Sequence, residues 1–424
     1  MEQTYSAPAD PSKPASKTFT KYQKFVIAIL AFMQFTVILD FMIMSPLGAV
    51  IMPLLHITPA QFGVAVSVYA FSAGAAGLMA AGFADKFDRK KLLMIFYVGF
   101  LVGTLLCGLA PTYEFLLGAR LVTGLFGGVI GAIGFAITVD LFEIEVRGRV
   151  LGIMQTSFAA SQILGLPVGL YLSNHWGWHA PFLMIVGIGL IAGILIALKM
   201  KPVTAHLQLQ KKSNPFKHLF DTLTNRRYAL AFCATALLSI GGYMLMPFGS
   251  AFTVNNLKIP IENLPLIYLV SGVASILIGP FVGKLSDTFG AFRTFLFGTT
   301  VGIVMVFIYT NLGPTPLALV MLVNVVMFVG IFSRMIPAQT MMSVIPEPAS
   351  RGSFMSVSSS LQQISGGVAA VIAGHIVSTN TDGSIARFDH LGYIMIGTSL
   401  VAAMLIYFIH RMVVKMMPNK EVAK

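Results

Sequence analysis

The sequence is dominated by apolar stretches long enough to cross a membrane as helices. Twelve such runs lie between polar breaks, near 24–54, 60–81, 92–110, 115–141, 150–173, 180–199, 228–254, 264–284, 292–311, 315–344, 354–378 and 391–414. A helix needs about 20 apolar residues to cross the hydrocarbon core of a bilayer. With 56% hydrophobic and 10% charged residues, the composition also lies outside the range of soluble globular proteins. The sequence therefore predicts an all-α polytopic membrane protein with twelve spans.

The basic residues predict how these spans are oriented. Of the 28 Lys and Arg residues, 24 fall on the side that holds both termini, whereas Lys258 and Arg387 fall on the other side and two lie inside spans. Because basic residues concentrate on the cytoplasmic side, both termini are expected in the cytoplasm, with the chain in the plasma (bacterial inner) membrane. The net charge of +12 is explained by this asymmetry at the lipid surface, so no nucleic-acid partner is expected.

The chain repeats itself at an offset of 201–204 residues. MIMSPLG from Met42 matches YMLMPFG from Tyr243, ADKFDRKKLL from Ala84 matches SDTFGAFRTF from Ser286, and Arg147-Gly148 matches Arg351-Gly352. Two parallel repeats of six helices predict two bundles with a binding site near the midplane between them. The expected parts are a cytoplasmic tail (1–23), a six-helix bundle (24–199), a cytoplasmic linker (200–227), a second bundle (228–414) and a second tail (415–424).

The loops after the second and eighth spans carry a family signature. They read AGFADKFDRK from Ala81 and GKLSDTFG from Gly283, and they resemble the signature loop of the major facilitator superfamily. Arg120 with Gly124 is similar to the R-x-x-x-G element in that family's fourth helix. The resemblance covers essentially the whole membrane region and implies the major facilitator fold. Within the family, the chain resembles the twelve-helix proton-antiporter (drug and metabolite efflux) branch. Its GLPVG run from Gly165 is out of register with that branch's G-P-x-x-G-G element.

The resemblance also implies a conformational latch at the cytoplasmic rim. Asp85 is expected to contact the N-terminus of a neighbouring helix, the eleventh, and Arg89 to pair with an acid across the two halves. The candidate latch residues are Asp85, Arg89, Asp140, Arg147, Asp287 and Arg351. The alternative interpretation is that the basic residues of this loop only determine topology.

Asp40 is the sole acid near the middle of a span, and charged groups inside a bilayer are costly. Counting residues along each helix places Arg120 at the same depth within one turn, so the two side chains can pair. Burial favours the neutral acid, whereas a neighbouring arginine favours the carboxylate. Asp40 and Arg120 therefore either couple proton movement to transport or permanently brace the first and fourth helices. The family resemblance supports coupling.

Arg334 lies inside the tenth span, beside Pro337, which is expected to interrupt the helix. Its counterpart in the first repeat is Ile130, so the charge breaks the repeat and favours a substrate or gating role, suited to an anionic substrate. The alternative is that Arg334 snorkels to the inner interface. The residues predicted to contact substrate are Thr36, Met44, Gln162, Tyr243, Arg334 and Gln363.

No motif in the sequence supports ATP-driven transport or enzymatic catalysis: G-x-x-x-x-G-K-[ST], H-E-x-x-H and a nucleophile elbow are all missing. No cofactor or metal is expected. The favoured hypothesis is a monomeric, proton-coupled secondary transporter that exports small hydrophobic, drug-like compounds or metabolites by alternating access. Two alternatives stay open: an uptake symporter or facilitator for a small metabolite, anionic or neutral, and a non-transporting sensor built on a transporter fold.

Overall fold

The computed structural model describes residues 19–83, 87–204, 207, 215–347 and 350–416. The N-terminal half contains α1 (Lys21–Ile43), α2 (Gly48–Leu54), α3 (Pro59–Phe83), α4 (Arg89–Gly108), α5 (Tyr113–Leu141), α6 (Ile144–Ala160), α7 (Leu166–Trp176) and α8 (Ala180–Lys199), with a π-helical segment (Ser161–Gly165) between α6 and α7. A short helix, α9 (Pro215–Thr224), lies within the predicted linker.

The C-terminal half contains α10 (Arg226–Leu245), α11 (Gly249–Asn255), a 3₁₀ turn (Ile261–Asn263), α12 (Leu264–Phe289), α13 (Ala291–Thr310), α14 (Leu317–Ser343), α15 (Arg351–Ile376) and α16 (Phe388–Met416). An antiparallel hairpin of β1 (Ser378–Thr379) and β2 (Ile385–Ala386) joins the last two helices. We call the membrane side where α1 begins and α16 ends the tail side, and the opposite side the far side.

The sequence repeat reappears in the helix breaks. In the first span, α1 ends at Ile43 and the chain continues as α2 after a turn. In the seventh span, α10 and α11 are separated by a turn in the same way. Helices α2 and α11 are equally long, and their starts at Gly48 and Gly249 are separated by the same offset as the sequence repeat. The repeat therefore extends from sequence to backbone, and it gives a residue-by-residue register between the first and seventh spans.

Ten helices of the described chain, with α10 and α11 counted together, are long and apolar enough to span a membrane. The fifth and eleventh predicted spans are not among them. The fifth is split by the π-helical segment, and α15 is rich in Ser, Gly and Gln. Both pack between the two halves, α15 along α3 and α7 along α12. A helix that faces protein on most sides needs fewer apolar residues than one surrounded by lipid.

Small residues let the two halves meet closely on the far side. A Cβ at Gly63 of α3 would lie 2.5 Å from the carbonyl oxygen of Ala370, and one at Gly374 of α15 would lie 2.7 Å from that of Pro59. The hydroxyl proton of Ser67 is shared between the carbonyl of Gly63, 2.6 Å from Oγ in the same helix, and the carbonyl of Gly367, 2.8 Å away in the other half. Ser45, in the turn before α2, likewise donates to the carbonyl of Met246. Contacts across the halves therefore hold the far side together.

Candidate functional site

Asp40 and Arg120 form an ion pair in the N-terminal half, and both side chains are 0% exposed. Arg120 Nη1 donates to Asp40 Oδ2 over 2.9 Å and lies 3.4 Å from the main-chain oxygen of the same residue. Thr104 Oγ1 donates to the other carboxylate oxygen, Oδ1, over 3.1 Å. Helices α1, α4 and α5 each supply one of these side chains. The structure thus brings together the two residues whose depths match in the sequence.

Tyr69 of α3 covers the open face of the guanidinium. Arg120 Cζ lies 4.4 Å from the centroid of the Tyr69 ring, a distance at which the ring attracts the cation. Gly124, one turn after Arg120, makes this approach possible, because a Cβ there would lie 2.5 Å from the carbonyl oxygen of Tyr69 and would collide with Ser72 Oγ. The R-x-x-x-G spacing therefore has a direct packing role, since its glycine lets α5 contact α3.

An aromatic row connects this pair to the C-terminal half. The ring centroid of Phe41 lies 5.3 Å from that of Tyr69 and 5.9 Å from that of Tyr243, and Tyr243 packs against Gly366 of α15. We call Tyr69, Phe41 and Tyr243 the aromatic row. Of the three, only Tyr243 was a sequence candidate; no motif marks Phe41, Tyr69 or Thr104, and only their depth on helices next to Asp40 could have suggested them.

The other predicted substrate residues have different surroundings. Thr36 is fully buried, and its hydroxyl donates to the carbonyl of Met33 over 2.7 Å and lies 3.1 Å from Tyr97 Oη, between α1 and α4. Met44 is also fully buried, in the turn between α1 and α2. Gln162 is buried in the π-helical segment, where its Oε1 has no hydrogen-bond partner among the described residues. Gln363 is half-buried on α15.

Arg334 is 6% exposed on α14, and among the described residues no carboxylate lies within ion-pair distance of it. Its guanidinium lies against two glycines: Nη2 is 3.9 Å from the Cβ position of Gly241, and Nη1 is 3.9 Å from that of Gly302. The expected interruption at Pro337 is wrong, because α14 continues through this residue to Ser343. Pro337 thus lies inside an unbroken α14.

The predicted latch residues pair within the N-terminal half. Arg89 Nε lies 3.2 Å from Asp140 Oδ2, joining α4 to α5, whereas the resemblance implied an acid across the halves. Arg147 donates to the carbonyls of Phe142 and Val139 over 2.9 and 2.7 Å, at the end of α5. These arginines stabilise the tail-side end of one bundle, where α5 ends and its last carbonyls need donors.

Two latch candidates of the C-terminal half, Asp287 and Arg351, are exposed on the tail side. No ion pair joins either of them to another residue in the described ranges. Asp85 lies outside the described residues. The same ranges contain no group of three or more His, Cys, Asp or Glu residues placed to hold a metal ion.

A comparison with known protein families agrees with the two-bundle architecture. The family model described as Major Facilitator Superfamily matches residues 30–370. The chain belongs to the Major Facilitator Superfamily. Its members are transporters rather than enzymes, so this superfamily chain is a multi-pass membrane transporter whose cargo is a small molecule.

Relatives and solved structures place this superfamily member among several transporters. It is 26% identical to the uncharacterized MFS-type transporter YceJ of Bacillus subtilis (strain 168), over 84% of this chain and 90% of YceJ. It is 33% identical to Multidrug resistance protein 3 of the same organism, but over only 29% of this chain and 24% of that protein. The fold is similar to a bacterial homolog of the human lysosomal transporter Spinster, in its inward-facing and unoccupied conformation (TM-score 0.70, 16% identity, 94% and 99% of the two chains). It is also similar to a mutant of the nucleoside transporter NupG (TM-score 0.71, 16% identity, 91% and 99%).

Proposed function

We propose that this superfamily member is a proton-coupled secondary transporter that exports small hydrophobic, drug-like compounds or metabolites. The observation that carries the proposal is the fully buried Asp40–Arg120 pair. Removing one charge from a buried pair costs about 3–5 kcal/mol, because the other charge is left without compensation. Binding of one proton to Asp40 neutralises the carboxylate and leaves Arg120 without a counter-ion, so a single small ion strongly perturbs this site. That sensitivity is what proton coupling requires.

The aromatic row supplies a path from the pair to the boundary between the halves. When Asp40 is protonated, Arg120 loses its counter-ion and keeps its contact with Tyr69. A shift of Arg120 then displaces Tyr69, and Phe41 lies between Tyr69 and Tyr243 of the other half. In the proposed cycle, residues 24–199 rock against 228–414, and protonation of Asp40 favours one of the two arrangements.

Two observations support export of hydrophobic cargo. The 24 methionines and 33 phenylalanines give the spans adaptable apolar surfaces, which suit varied cargo. Part of the chain is similar to Multidrug resistance protein 3.

A second candidate function is uptake or facilitated diffusion of a small anionic metabolite. The observation that favours it is the buried Arg334, which has no carboxylate of the described residues beside it. A non-transporting sensor is the remaining alternative, and it would show no substrate flux.

The proposal is tested with purified protein in liposomes that contain a trapped pH-sensitive dye. Lipophilic cations, organic acids, sugars and neutral compounds are screened for proton movement on addition of substrate. Asp40→Asn should abolish proton movement while substrate binding stays measurable. Asp140→Asn is the matched control, since it removes the carboxylate of the other paired arginine in the same half. Substrate flux driven by a pH gradient in Asp40→Asn would show that the pair is only a brace.

A further inference from the structure

Arg334 is a buried cation in a half of the protein whose acids are all remote from the membrane interior. Between residues 228 and 414 the acids are Glu262, Asp287, Glu347, Asp382 and Asp389, and each lies near a helix end or in a connection. Arg334 Nε has no hydrogen-bond partner in the described ranges. A cation buried this way is costly, and such a residue is a candidate for a functional role.

The geometry excludes snorkelling to the tail side. Side chains on a helix tilt toward its N-terminus, and α14 runs from the far side to the tail side, so Arg334 extends toward the membrane middle. Its neighbours confirm this direction. Gly302 lies about three turns after the start of α13 at Ala291, and Gly241 lies about four turns after the start of α10 at Arg226. These separations correspond to depths of roughly 16 and 22 Å from the tail-side ends of the two helices.

The internal repeat explains what is missing beside Arg334. The same offset that relates α2 to α11 also places Gly241 at the position of Asp40. In the N-terminal half, an arginine of the fourth span pairs with an acid of the first span. In the C-terminal half, an arginine of the tenth span meets a glycine of the seventh span, at the position where the acid would stand. The C-terminal half thus lacks a carboxylate at this position, although Arg334 aligns with Ile130 rather than with Arg120 and so is a cation of this half alone.

Each of the two glycines leaves room for one added carbon atom beside the Arg334 side chain. A Cβ at Gly302 would find its nearest neighbour at 3.7 Å, in the Arg334 side chain. A Cβ at Gly241 would find its nearest neighbour, Thr398 Oγ1, at 3.4 Å, so both are ordinary contacts. We propose that this niche, formed by Gly241, Gly302, Arg334 and Thr398, binds an anionic group in place of the missing acid. The group is a carboxylate of an organic ligand or a small inorganic anion, both of which accept hydrogen bonds from a guanidinium.

This inference concerns the C-terminal half and is independent of proton coupling by Asp40. Purified full-length protein in lipid nanodiscs is titrated with sodium chloride, sodium acetate or sodium benzoate. The thermal unfolding midpoint is recorded, and equilibrium dialysis measures binding of radiolabelled chloride and benzoate. We expect saturable binding of at least one anion to the wild type. A response to chloride and benzoate alike indicates free ions, and a response to benzoate alone indicates the carboxylate of an organic ligand. Either result supports the niche.

Three variants locate the binding. Arg334→Gln should weaken binding by about tenfold or more, because it removes a charge-assisted contact. Gly241→Asp should place a carboxylate in the niche and abolish the response to added anion. Gly242→Asp is the matched control, because it adds the same charge one residue away at an exposed position, and it should bind as the wild type does.

Two results would overturn the inference: no saturable binding of any anion to the wild type, or unchanged binding in Gly241→Asp. The dialysis on wild-type protein decides the question even where a variant fails to fold. Asp40→Asn should bind the anion normally, so failure of the niche and failure of proton coupling give different results.

Discussion

Gly124→Ala is the most direct perturbation of the packing that builds the Asp40–Arg120 site. The added methyl group would lie 2.5 Å from the carbonyl oxygen of Tyr69 and would collide with Ser72 Oγ. An ordinary contact needs about 3.4 Å or more, so α5 has to move away from α3 by roughly 1 Å. Because Tyr69 sits over the Arg120 guanidinium, this movement also separates the ring from the cation.

The expected magnitude follows from a matched pair of glycines on the same helix. Overpacking of a tight contact costs about 1–3 kcal/mol. Gly118 of α5 is exposed, and a Cβ there would meet nothing within 4 Å. Gly118→Ala should therefore gain about 0.5–1 kcal/mol from helix propensity alone. The two substitutions are chemically identical and share this gain, so their stabilities should differ by the overpacking cost alone, about 1–3 kcal/mol.

The chain provides its own probe for this measurement. Cys107 is buried, with its Sγ 3.7 Å from the Oγ1 of Thr123, the residue that precedes Gly124, whereas Cys233 is exposed. In a Cys233→Ser background, a thiol-reactive dye reports unfolding around Cys107 as the temperature rises. Gly124→Ala should unfold at a lower temperature than the parent, and Gly118→Ala at the same temperature or a higher one. Equal midpoints for both variants would refute the argument that Gly124 is required for close packing.

Two further predictions concern the far side. Ser67→Ala removes the hydrogen bond to Gly367 that joins the halves, which should shift the population toward arrangements open on the far side by about two- to tenfold. In a Ser67→Ala background, the thiol of Ser45→Cys should therefore react faster with a labelling reagent than it does without that substitution. Ser399→Ala removes a hydrogen bond within α16, so it should leave this labelling rate unchanged. In the hairpin loop, the hydroxyl and the N–H of Ser384 hold the pKa of Asp382 below its usual value. Because the pKa is lowered, these hydrogen bonds are fully present above the ordinary aspartate pKa of about 4 and are lost as the pH falls through the lowered pKa. Protease cleavage in residues 380–384 should therefore increase only in acid.

The sequence was most informative where charge is rare. Only a few charged residues lie inside the spans, and the rise of about 1.5 Å per residue converts their positions into depths. That arithmetic alone is enough to match Asp40 with Arg120. It could not identify Tyr69 or Thr104, because tyrosine and threonine occur throughout the spans and carry no comparable cost in a membrane.

The sequence was least informative about which way a helix face points. Thr36 lies one turn before Asp40 and shares its face, so the sequence alone allows its side chain to line a ligand cavity or to pack inside the bundle. The structure places it against Tyr97 in the interior. Helix α1 is apolar on all sides, so its pattern contains no signal for its rotation. The same limit applies to Arg89 and Arg147, because long flexible side chains at a crowded rim have several acceptors within reach.

The two spans with the weakest apolar signal are also the ones that join the halves. Helix α15 and the broken fifth span contact the opposite bundle, and some of their polar residues, such as Gln162 and Ser360, are buried in protein. Small side chains permit the close approach seen at Gly63 and Gly374, and a hydroxyl such as Ser67 adds a bond that can break and re-form without leaving a large apolar surface exposed. In the proposed cycle this boundary opens and closes, which favours such contacts over deeply interlocked apolar side chains. A low apolar content in one span of each repeat is therefore itself a sequence signal for the interface between the halves.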